Sequence, residues 1–105
     1  MTTTPKPIRR FVEATNAGDT EAFLETFTAD ALLTDWGRSF RGREQIARWN
    51  QTDNIGVHSH LDIVRIAQSD GTYHVRIKVA GNGFNGEGDM TFKLDGDRIA
   101  SLVIA

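Results

Sequence analysis

Beyond Val57 the sequence leaves room for little except strands, and this limits the whole fold. Thr72 to Ala80 alternates, with Tyr73, Val75, Ile77 and Val79 on one side and His74, Arg76 and Lys78 on the other. Val57 to Ala67 precedes it across the turn Gln68-Ser69-Asp70-Gly71. Glu87 to Leu94 and Arg98 to Ile104 follow, joined at Asp95-Gly96-Asp97. Connections this short make neighbouring strands antiparallel. The first half has the helical period instead. Thr4 offers a cap, Pro5 or Pro7 fits a first turn, and Ile8, Phe11, Val12 and Thr15 form one stripe that Gly18 ends. Asp19 caps a second helix with Ala22, Phe23 and Phe27 inward. Ala31 to Trp36 reads as a strand, Ser39-Phe40-Arg41 pairs back on it, and Gly42 opens a third helix with Ile46, Ala47 and Trp49 on its inner face. Helices first and hairpins last predict an α+β domain. The expected architecture is a cone: three N-terminal helices packed on a curved, mainly antiparallel sheet around a ligand-sized cavity.

Composition narrows the chemistry. The 105 residues predict a single domain spanning 1–105. The absence of cysteine excludes disulfides, thiolate metal sites and cysteine nucleophiles. Twelve Lys plus Arg against fourteen Asp plus Glu give a net charge of −2, which argues against a nucleic-acid partner. No apolar run approaches the roughly 20 residues of a membrane span, and Met1 to Arg10 leads into no long apolar stretch. The expectation is a cytoplasmic chain without a membrane partner.

Three stretches carry a family resemblance. Phe11-Val12-Glu13-Ala14-Thr15-Asn16-Ala17-Gly18-Asp19 resembles the end of the first helix in the nuclear transport factor 2-like superfamily. Phe27-Thr28-Ala29-Asp30-Ala31 resembles its step into the first strand, and Gly42-Arg43-Glu44-Gln45-Ile46 its entry to the third helix. Ketosteroid isomerases, limonene epoxide hydrolases and SnoaL-like polyketide cyclases share this cystatin-like fold. The resemblance implies a homodimer paired through the sheet face. It sets Asp35 where the isomerases keep a general-base aspartate. It also sets Phe11 where they keep an oxyanion-hole tyrosine, and Met90 near their protonated aspartate. Neither Phe11 nor Met90 can donate a hydrogen bond, so an isomerase-like oxyanion hole is not expected.

Asp35 is the principal catalytic candidate. Inside an apolar cavity a carboxylate is raised in pKa and moves protons; in a turn it pairs with Arg38. Trp36, Phe40 and Trp49 are expected pocket walls, joined by Phe11 and Met90. His58, His60 and Asp62 alternate, which suggests His60 as a second catalytic residue and His58 and Asn82 as ligand contacts; the alternation leaves open which face of Val57 to Ala67 turns inward, and a one-residue bulge would put Ser59 there in place of the histidines. No metal or cofactor is expected. Gly81-Asn82-Gly83-Phe84-Asn85-Gly86 matches a dinucleotide fingerprint in letters only, because it joins two strands rather than a strand and a helix. Three readings follow. One is a cofactor-independent isomerase- or cyclase-like enzyme acting on a small hydrophobic molecule. The others are a binding module for such a molecule and an interaction domain with a filled cavity.

Overall fold

The computed structural model describes residues 3–105; the loose end expected at Met1 and Thr2 lies outside them. Helix α1 (Lys6–Ala17) buries Ile8, Phe11, Ala14 and Thr15. Its N-cap is Pro5, and Thr4 makes no side-chain cap. Gly18 closes it in the left-handed conformation at φ 69°, where its amide reaches the carbonyls of Ala14 and Thr15. Helix α2 (Thr20–Glu25) starts on Asp19, whose carboxylate accepts from the Ala22 amide. Phe27 belongs not to α2 but to strand β1 (Phe27–Asp35), which starts earlier than Ala31. Strand β2 (Arg38–Arg41), helix α3 (Gly42–Asp53) and a short 3-10 turn, Ile55–Val57, follow. Strands β3 (His60–Ser69), β4 (Thr72–Ala80), β5 (Gly86–Asp95) and β6 (Arg98–Ile104) complete the chain.

The sheet order is β2-β1-β6-β5-β4-β3. This corrects the expected cone. The sheet is open, neither closed nor strongly curled, with β2 and β3 as its edges, and it is mixed because β1 runs parallel to β6. The reason is the α3 crossover. It carries the chain from β2 to the far edge, and the β3–β6 meander then returns alongside β1 in the same direction. Closure would require β2 to pair with β3, and four strands separate them.

The core lies between the helices and one sheet face. Phe11 touches Phe23 and Phe92 at ring separations of 5.3 and 5.5 Å, and Phe23 stacks on Trp49 at 6.3 Å. These rings are buried and hold α1, α2 and α3 against β5. Asn16 extends the edge of the sheet. Its side-chain amide donates to the Leu61 carbonyl at 2.9 Å and accepts from the Leu61 amide at 2.7 Å, in the manner of a further strand. The other face carries an ion-pair network, in which Arg76 on β4 bridges Glu87 and Asp89 on β5 at 3.1 and 3.2 Å.

Candidate functional site

A cleft of about 290 Å³ opens between α3, the 3-10 turn and the sheet, near the lower bound for small-molecule sites. Leu61, Ile77, Val79, Met90 and Ile104 give it apolar walls. They reach it because inward positions on β3, β4, β5 and β6 lie side by side in register, as in Leu61 with Val79 and Met90 with Ile104. A wider groove of about 790 Å³ runs between Arg10, Asp19 and Asp97, but it is more open to solvent and is rimmed by charged side chains.

Asp35 ends β1 on the inward side, and only 8% of it is exposed. Its Oδ2 accepts from Arg38 Nη2 at 2.7 Å and from Trp49 Nε1 at 2.9 Å. Asp35 lines the cleft and is at the same time paired with Arg38. Arg38 reaches Asp35 because the two are register partners across a two-residue hairpin turn. Its guanidinium also bonds both oxygens of Asp53, at 3.2 and 3.4 Å, and lies 5.6 Å from the centre of the Phe40 ring. Burial pushes the Asp53 carboxyl up, but the Thr52 hydroxyl and Arg38 outweigh it and hold the group below the usual carboxylate range. Hydrogen bonding to Asp53 raises Arg38, which stays cationic. The result is a carboxylate, guanidinium and carboxylate in a row at one end of an apolar cleft.

Both bonds to the Asp35 carboxylate fall on Oδ2; among the described residues none falls on Oδ1. Ser59, 6% exposed, adds a hydroxyl to the wall, and no described residue bonds its Oγ. The cleft thus presents a carboxylate oxygen, a guanidinium and a hydroxyl to an otherwise apolar guest.

A model of the SnoaL-like domain matches residues 8–102. The chain belongs to the SnoaL-like domain family. This places it in the nuclear transport factor 2-like superfamily with the ketosteroid-isomerase-like fold, as the sequence resemblance implied. No curated protein matches it. Among solved structures, a candidate polyketide cyclase of Sinorhizobium meliloti is 27% identical at a TM-score of 0.88, covering 97% of this chain and 95% of that one. A protein of Catenulispora acidiphila with a ketosteroid isomerase-like fold, in complex with trimethylamine, is 22% identical at 0.84, covering 98% and 86%. An epoxide hydrolase/cyclase-like enzyme of pyran ring formation in the polyether salinomycin is 14% identical at 0.83, covering 93% and 85%. The last two likenesses concern the fold alone.

This SnoaL-like domain gathers Asp35, Trp36, Trp49 and Met90 at the cleft. The other residues singled out by sequence lie elsewhere. Phe11 is fully buried among Phe23, Phe27 and Phe92. Phe40 is half-buried beside Arg38. Asn82 is exposed, with its amide donating to the Val57 carbonyl at 2.8 Å. His58 is exposed in a left-handed conformation at φ 55° before β3 begins. His60 points to the outer face, 3.7 Å from Asp62. The turn at His58 sets the phase of the strand, so Ser59 and Leu61 face inward where histidines were expected. Sequence reasoning left open whether the histidines or Ser59 face inward, and it missed Asp53. Asp53 carries no local signal, because it meets Arg38 only across fifteen residues of chain.

Proposed function

We infer that this SnoaL-like protein binds a small, largely apolar carbonyl compound in the cleft and that Asp35 transfers a proton on it. The observation that carries the reading is the half-used carboxylate: Oδ2 is fixed by Arg38 and Trp49 in a buried position, and Oδ1 is left for the guest. Oδ1 takes a proton from carbon next to the carbonyl, and the bonding electrons move to the carbonyl oxygen as an enolate. Arg38 and the Ser59 hydroxyl offer donors to that oxygen. In a β,γ-unsaturated ketone the enolate is a conjugated dienolate, and return of the proton to its far carbon gives isomerisation; attack by the enolate carbon on a second carbonyl of the same molecule, with the proton passing from Asp35 to the new alkoxide oxygen, gives ring closure. The similarity to a candidate polyketide cyclase fits this chemistry.

The test is proton–deuterium exchange of 2-tetralone in heavy water, followed by NMR. The wild type accelerates exchange next to the carbonyl, and Asp35→Asn lowers the rate by about 10²–10⁴-fold while retaining binding. Binding without exchange in the wild type selects the second reading, a non-catalytic binding module. That alternative draws on the Asp35–Arg38 ion pair, which also serves as a fixed polar anchor.

A second copy of the chain on the outer sheet face completes the proposal. The exposure of Val64 and Val103 there supports it. Sedimentation should give twice the 11.7 kDa chain mass, and a monomer removes the dimer from this reading.

A further inference from the structure

Two large aromatic side chains stand exposed at the cleft, Trp36 at 76% and Phe84 at 57%. Trp36 occupies the first central position of the Asp35–Arg38 hairpin turn at φ 49°, followed by Gly37 at φ 84°. Asn-Gly and Asp-Gly pairs adopt this left-handed pair of conformations readily. The same chain uses Asp70-Gly71, at φ 51° and 74°, for the corresponding turn between β3 and β4. A bulky residue is an outlier in this conformation. The indole gains no burial in return; it stands beside the buried Asp35, with its backbone amide donating to the Ile104 carbonyl at 3.2 Å.

Phe84 sits in the β4–β5 loop. Asn85 ties this loop, accepting from the Gly81 amide and donating to the carbonyls of Gly81 and Gly83. The ring lies over Gly86, where a Cβ would come within 3.3 Å of it. Both rings line the same cleft, and two rings at one cleft suit a flat guest.

We propose that Trp36 and Phe84 form an aromatic clamp that selects flat, ring-bearing ligands and directs their polar end toward Asp35. The proposal rests on the cleft being the binding site and adds the class of ligand it takes. Isothermal titration calorimetry tests it with 2-naphthol, which is flat and carries a hydroxyl, and with 1-decanol, a flexible chain with the same polar group. Trp36→Asn and Phe84→Ala each weaken 2-naphthol about fivefold and leave 1-decanol within about twofold. Trp36→Asn also raises the melting temperature, because asparagine suits the turn, so lost binding is not lost folding. Unchanged 2-naphthol affinity in both variants overturns the clamp. If Met90→Phe, which narrows the cleft, still weakens 2-naphthol in that case, the cleft survives as the binding site. Equal loss of both probes overturns selection for flatness. Failure of the wild type to bind either probe overturns the clamp and the cleft together. A change in sedimenting mass on Trp36→Asn makes the ring a contact between copies and overturns the clamp as well.

Discussion

Trp49 donates its indole N–H to Asp35 Oδ2 at 2.9 Å, from the middle of α3 to the end of β1. The same indole stacks on Phe23, so the side chain that orients the candidate base is itself held by the aromatic core. Trp49→Phe keeps the stacking and removes the donor. It should cost about 1–3 kcal/mol in urea unfolding, because both partners are buried and one is charged. The loss should shrink when Asp35 is already Asn, since the pair is then no longer charge-assisted. Equal losses in the two backgrounds would show that the bond contributes nothing beyond packing.

Asp53 titrates below an ordinary carboxylate in the folded chain. A depressed folded value means the unfolded chain binds the proton first as pH falls. The stabilisation from ionised Asp53 is therefore complete above about pH 4 and fades as pH drops through the lower folded value. Asp53→Asn should be less stable than the wild type at pH 7, and the gap should narrow below about pH 4. A gap that stays constant down to pH 2 contradicts the assignment.

Gly56 permits a close approach between the 3-10 turn and α3. A Cβ there would fall 1.5 Å from the Gln51 carbonyl oxygen, and the obstacle is backbone. Gly56→Ala should destabilise the chain by more than about 3 kcal/mol, as severe overpacking does, and disorder the wall carrying Asn54 and Val57. A thermal melt with an unchanged midpoint would refute this.

Asn16 supplies the paired hydrogen bonds that cover β3 at Leu61. Asn16→Ala should cost about 1–3 kcal/mol and raise hydrogen exchange at the Leu61 amide more than at the amide of Val75, a central β4 residue. Uniform exchange across the sheet would mean that the edge depends on other contacts.

Many local signals were legible, though the Thr4 cap and the start of β1 were not. Gly18 and Asp19 mark the α1–α2 junction because a left-handed cap and an N-cap oxygen act within a few residues. The alternation of β4 from Tyr73 to Val79 survives intact in the sheet. Phase across an irregular segment was not legible. His58 turns left-handed after the 3-10 turn, and this sets the parity by which Ser59 and Leu61 face the cleft and His60 faces away. Phe11 and Phe40 look like pocket walls by residue type, yet the core takes Phe11 and Phe40 packs beside Arg38.

The sequence by itself determined the order of helices and strands, the inward stripes of α1 and β4 and the presence of Asp35 at a strand end, because period, caps and turns act over a few residues. Tertiary structure alone decided that the sheet stays open and mixed, since the α3 crossover sends β3 to the edge opposite β2. It also decided that Asp35, Arg38, Trp49 and Asp53 meet. Those contacts join β1, β2 and α3, and their geometry depends on where the shared core seats the helix, which no single segment encodes.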